Sequence, residues 1–271
     1  MMRIITVTFA MVIWQPPGLS GIVSAQQQQP QDNTAPPTTQ AAPPAAAPAA
    51  PPAAEGVVFS VDGSGALGGL EKSLGSAVSQ AGAPLRVEEF RWSLGAGLFL
   101  VDLWSQSRHH TQGARLAQMV EGERAANPKA RIYLVGHSSG TAVILSAAEQ
   151  LPPGSVDRIV LLAPALSSGA DVRPALRCTA GKVDVFCGSR DRICLSLSVF
   201  GAADIRFGPT AGRAGFRRTS DSDPQDAALR NGLQHHMGGF GGHYECTRPE
   251  FLQNNVLPLF EANDKSLMIL R

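Results

Sequence analysis

Gly136-His137-Ser138-Ser139-Gly140 sets a serine between two glycines at a spacing suited to nucleophilic chemistry. The apolar run Arg131-Ile132-Tyr133-Leu134-Val135 leads into it, and small residues with a helical pattern follow from Thr141 to Ala148. This is the strand, sharp turn and helix that a nucleophile elbow needs. Such a turn strains the serine backbone, and glycines let strand and helix come close. The Ser138 hydroxyl is therefore expected above the C-terminal edge of a parallel sheet. The pentapeptide alone would read as a plain Gly/Ser turn, and its flanks give it chemical meaning.

A serine hydroxyl is a weak nucleophile until a base takes its proton, and the base is usually a histidine oriented by a carboxylate. His243, in the loop Gly241-Gly242-His243-Tyr244 before the last helix, is the candidate base, with His235 and His236 as alternatives. His137 is expected to turn its ring away from the Ser138 hydroxyl, and His109 and His110 precede the serine at a helix start. Asp191 is the candidate acid. It follows the strand ending at Cys187, with Gly188 making the turn, and Arg190 and Arg192 flank it. Asp171 and Asp204 are held in reserve. Asp184 lies inside a strand, where a structural role is expected.

An acyl transfer also needs two N–H donors for the developing oxyanion. Ser139, the residue after the nucleophile, supplies one. Asp62-Gly63-Ser64-Gly65 follows an early strand and opens a helix, and Ser64 N–H is the expected second donor. The same four residues could form a phosphate-cradling turn, although they lack the full dinucleotide or P-loop pattern. No cofactor and no metal is expected. The His235-His236 pair lacks a carboxylate-rich partner set, and the cysteine spacing matches no zinc pattern.

On these residues the chain resembles the α/β-hydrolase superfamily in its esterase- and lipase-like members. The elbow carries the resemblance, with Asp191 and His243 in the order acid then histidine, and Asp62-Gly63-Ser64-Gly65 in the oxyanion position. It covers most of residues 56–262. That family usually has His-Gly where this chain has Asp62-Gly63, and its first two antiparallel strands are not evident here. The resemblance implies a serine hydrolase that cleaves a small-molecule or lipid ester through an acyl-enzyme. Alternatives are an acyltransferase, thioesterase or amidase with the same triad, or a non-catalytic envelope-binding protein on a hydrolase scaffold.

The elements that would position these residues alternate. Strands are expected at 57–61, 85–92, 131–135, 156–163 and 182–187. Helices are expected around Leu67 to Val78, from about Thr111 to Ala126, through Gln150, near Asp171, and from Pro249 to about Glu261. Strands separated by helices imply an α/β fold: a doubly wound, mostly parallel sheet with helices on both faces, a compact α/β-hydrolase fold. Such sheets bind ligands beyond the C-terminal ends of their strands. Past Asp191 the pattern blurs, and residues 200–240 read as long loops or a lid. Trp92, Leu94, Phe99, Leu100 and Trp104 form an apolar group that suits either an acyl site or core packing.

The ends of the chain read differently. Residues 1–25 have the basic, apolar and small-residue order of a signal peptide, with Val23-Ser24-Ala25 before the expected cleavage. Residues 26–55 are a Pro/Ala/Gln-rich segment expected to be a disordered, semi-rigid linker, which suits tethering to a cell envelope. Residues 56–271 make one domain. A secreted, periplasmic or envelope location follows. The net charge of +1 gives no footprint for nucleic acid. Four cysteines in an exported chain suggest two disulfides, for which Cys187–Cys194 with Cys178–Cys246 is the favoured pairing.

Overall fold

The computed structural model describes residues 55–179, 182–217, 234–237 and 242–261. The expected signal peptide, the expected linker apart from Glu55, and much of the expected 200–240 loop lie outside the described residues.

Six parallel strands form one sheet among the described residues: β1 (Gly56–Val61), β2 (Leu85–Glu89), β3 (Arg131–His137), β4 (Arg158–Leu162), β5 (Val183–Cys187) and β6 (Gln234–His236). Their order is β2-β1-β3-β4-β5-β6, and every neighbouring pair runs parallel. The helices are α1 (Leu70–Ala81), α2 (Phe99–Trp104), α3 (Gln106–Ala126), α4 (Gly140–Gln150), α5 (Arg173–Cys178), α6 (Arg192–Phe200) and α7 (Ala211–Ala214). Three consecutive segments, Pro249–Phe251, Leu252–Val256 and Leu257–Glu261, run on as the closing helix α8, whose middle turn is π-helical.

The sheet is apolar on both faces because its strands alternate between two cores. Val57, Phe59, Ile132, Leu134, Ile159 and Leu161 point to one layer, where Leu116 and Val120 of α3 and Val143 and Ile144 of α4 cover them. Val58, Tyr133, Val135, Val160 and Leu162 point to the other, against Leu70 and Leu74 of α1 and Leu252 and Val256 of α8. A strand has period two, so a continuous apolar run serves both layers. Each fully buried leucine or isoleucine contributes about 1.5–3 kcal/mol. β2 is one edge strand: Arg86 and Glu89 are exposed, and the strand ends three residues short of its expected end.

The blurred region after Asp191 contains more structure than expected, namely α6, α7 and β6. α6 has apolar residues on two sides, so it gives no clean helical stripe: Cys194 and Leu197 are buried, while Ile193, Leu195, Val199 and Phe200 are exposed.

The expected disulfides are not formed. Cys178, Cys187, Cys194 and Cys246 are all buried thiols. Cys178 belongs to the core on one side of the sheet and Cys246 to the core on the other, so the sheet itself prevents that bridge. Cys194 turns its sulfur toward the carbonyl of Pro164 and the ring of His243, each 3.8 Å away.

The chain turns left from β1 to β2 and then right from β1 to β3. The strand order therefore reverses at the C-terminal ends of β1 and β3. In open α/β sheets this switch point forms the crevice where ligands bind. The loop 62–69 leaves β1 there, and the elbow at Ser138 leaves β3 beside it.

Candidate active site

Ser138 has φ +54°, a left-handed conformation that a non-glycine residue adopts at a cost of order 1–3 kcal/mol. The turn is pinned from two sides. Ser138 N–H donates to Leu162 O at 3.0 Å, and Ala165 N–H donates to Ser138 O at 3.1 Å. Both motif glycines have a packing reason. A Cβ on Gly136 would lie 2.6 Å from Ile144 Cδ1 of α4, and one on Gly140 would collide with the carbonyl oxygens of Val61 and Asp62. The half-buried Ser138 side chain is left at the mouth of the crevice.

Three residues from three loops meet there. His243 Nε2 lies 2.8 Å from Ser138 Oγ, and His243 Nδ1 lies 2.7 Å from Asp191 Oδ2. A carboxylate only accepts, so Nδ1 carries the proton and Nε2 accepts from the serine hydroxyl. Asp191 is also the N-cap of α6, with Oδ1 accepting from Cys194 N–H at 2.8 Å. One carboxylate thus starts a helix and orients a ring.

Burial pushes the His243 imidazole down, and this outweighs the upward pull of Asp191, so the net shift is downward. The ring is neutral at pH 7. Burial alone would raise the Asp191 carboxyl, but the His243 ring and the Cys194 N–H overcome it and hold it below its ordinary value.

The other candidates serve elsewhere. Asp184 pairs with Arg158 at 2.6 Å inside the sheet, Asp171 forms an exposed pair with Arg173, and Asp204 accepts from Ser167 N–H at 3.1 Å. His109 is buried with Nε2 2.6 Å from Asp102 O. His235 and His236 lie in β6, and only their backbone is described.

Ser139 stands at the N-terminus of α4, where N–H groups lack partners within the helix. Ser64 lies opposite, but its N–H is committed: it donates to Ser139 Oγ at 2.8 Å, and the two hydroxyl oxygens are 2.6 Å apart. The loop holding Ser64 is tied down by Trp92 and Asp102. Trp92 Nε1–H donates to Asp62 O at 2.7 Å, and the fully buried Asp102 accepts from Leu94 N–H and, at 3.4 Å, from Gly65 N–H. Asp102 carried a readable signal as an acidic residue in the otherwise apolar run Phe99 to Trp104.

The His137 ring does turn away from the Ser138 hydroxyl. It reaches Asp62 and the backbone of His243 instead. Trp92 belongs to the core, Leu94, Phe99 and Leu100 are exposed, and Trp104 donates to Gly201 O at 3.1 Å.

Residues 87–212 match the protein-family model described as Cutinase. Together with the parallel sheet and the elbow at its switch point, that decides the fold. Its fold is that of an α/β-hydrolase. No curated protein matches this chain over its sequence. Among solved structures it is similar to a Trichoderma reesei cutinase in complex with a phosphonate inhibitor, at 22% identity and TM-score 0.40, covering 53% of this chain and 65% of that one. It is also similar to an acetylxylan esterase, at 19% identity and TM-score 0.41, covering 52% and 84%. A Xanthomonas campestris serine hydrolase described as lacking a lid aligns at 16% identity and TM-score 0.43, covering 77% and 82%. The chain spans just under two thirds of the Trichoderma cutinase's length.

Proposed function

We propose that this α/β-hydrolase is an exported carboxylic ester hydrolase that works through a Ser138 acyl-enzyme. The observation that carries this reading is the unbroken hydrogen-bond chain from Ser138 Oγ through His243 to Asp191. His243 takes the Ser138 proton as Oγ attacks the ester carbonyl. Asp191 holds the imidazole in the Nδ1–H tautomer and stabilises the imidazolium that forms. His243 then returns the proton to the leaving alcohol, and water repeats the sequence on the acyl-enzyme.

The oxyanion is received by the Ser139 N–H and by Ser64, whose N–H exchanges the Ser139 hydroxyl for the substrate oxygen. Two aimed donors of this kind contribute several kcal/mol, about 2.7–4 for one of them. The exposed apolar residues of α2, Phe99, Leu100 and Val101, and the end of α6, Val199 and Phe200, supply an apolar surface for the acyl chain. The signal-like residues 1–25 and the Pro/Ala linker carry the export and tethering parts of the proposal. Among the described residues no helix is long and apolar enough to cross a membrane.

The test is fluorophosphonate labelling followed by peptide mass spectrometry. An adduct on Ser138, with hydrolysis of short p-nitrophenyl esters, is the expected result. A folded protein that neither labels nor hydrolyses any ester would overturn the assignment.

A further inference from the structure

His137 is fully buried beside the nucleophile, and the mechanism above does not use it. Its two ring nitrogens both face acceptors. Nε2 lies 2.9 Å from the backbone carbonyl of His243, and Nδ1 lies 3.2 Å from Asp62 Oδ1. A carbonyl oxygen and an ionised carboxylate can only accept. The ring therefore bridges the His243 backbone and the Asp62 side chain.

The Asp62 carboxylate is built to stay ionised. Its Oδ1 accepts from Gly63 N–H at 2.7 Å, and its Oδ2 faces Leu70 N–H at 3.4 Å, the first residue of the twelve-residue helix α1. A carboxylate at a helix N-terminus is favoured by the peptide dipoles. Burial acts to raise this carboxyl, but His137 and the two backbone donors outweigh it and the net shift is downward. The other groups facing the His137 ring are the rings of His243, at 4.8 Å between centroids, and Tyr244, at 5.4 Å. Both lie on the loop before α8, and Asp191 acts on that side through His243.

Resting on the reading of His243 as the base, we propose that His137 is a positioning residue: a buried ring that clamps the His243 loop to the Asp62–Ser64 loop. The clamp spans the crevice beneath Ser138. One end fixes the backbone of the base and the other fixes the loop that supplies the second oxyanion donor. The His243 carbonyl, which Cys246 Sγ also faces at 3.5 Å, is thereby held from the His137 side, and with it the register of Nε2 against Ser138 Oγ.

The test is amide hydrogen exchange and esterase kinetics of the whole protein and its His137→Gln variant. The amides of residues 243–248 are expected to exchange roughly tenfold or more faster in His137→Gln while those of the central strands stay protected. Unchanged exchange in that loop would overturn the proposal. In a second measurement, on p-nitrophenyl butyrate, His137→Gln lowers kcat by roughly 10- to 100-fold, the scale of a base displaced by up to an ångström, with KM within about twofold. An unchanged kcat would also overturn it. An unmodified protein with no esterase activity whose His137→Gln variant still loosens the loop would sink the hydrolase assignment and keep the clamp.

Discussion

His243 and Ser138 stand 105 positions apart in the chain, yet His243 Nε2 lies within 2.8 Å of Ser138 Oγ. The contact joins the turn after β3 to the loop before α8. The proposed catalysis passes through that one hydrogen bond, and it can be broken from either side.

Removing the hydroxyl separates chemistry from stability. Ser138→Ala should lose about 10⁴-fold or more in kcat while keeping the fold. Ser138→Gly should be equally inactive but more stable than the alanine variant by about 1 kcal/mol, because glycine relieves the left-handed backbone at φ +54°. Urea unfolding of the two variants checks this. An alanine variant as stable as the glycine variant would show that the turn holds no strain.

Asp191 has two jobs that different substitutions separate. Asp191→Asn keeps a good N-cap for α6 but no longer fixes the His243 tautomer, so kcat should fall by about 10⁴-fold with little loss of stability. Asp191→Ala should lose as much activity and also about 1 kcal/mol through the lost cap to Cys194 N–H. Paired kinetics and thermal melts distinguish the two effects.

The pH profile follows from the direction of each shift. Burial holds His243 below the ordinary histidine value of 6.5. The base is therefore unprotonated through neutral pH, and kcat/KM should decline only as pH falls below that value. An acid limb centred at or above it would contradict the burial of this ring. The same depression makes stability decline as pH drops from 6.5 toward the folded value, because the unfolded chain then binds the proton more readily. Asp62 and Asp191 are held below 3.8, so their contribution is present above that value and is lost on further acidification.

The cysteines should behave as buried thiols. Burial pushes Cys178 up to about 12 and Cys187 up to about 11, and it raises Cys194 and Cys246 as well. Thiolate is the reactive form, so iodoacetamide should label these residues only after unfolding. A reductant should leave the melting temperature unchanged. A drop of several degrees on reduction would mean that the protein forms bridges.

Local pattern determined much of this protein from its sequence. The apolar runs at 57–61, 131–135 and 156–163 announce buried strands. Gly136-His137-Ser138-Ser139-Gly140 announces a strained turn, because steric limits on backbone angles act between near neighbours. The positions of Asp191 and His243 after late elements were legible as candidates for the same reason.

Tertiary structure alone decided which side chains meet. The sheet places Cys178 and Cys246 in opposite cores, which no count of cysteines reveals. It also brings Asp62 within reach of His137, 75 positions away, and turns Ser64 N–H onto Ser139 Oγ. Hydrogen bonds extend about 3 Å and depend on direction, so they are fixed by how strands and loops converge at the switch point. A one-dimensional pattern carries the periodicity of each element but not that convergence.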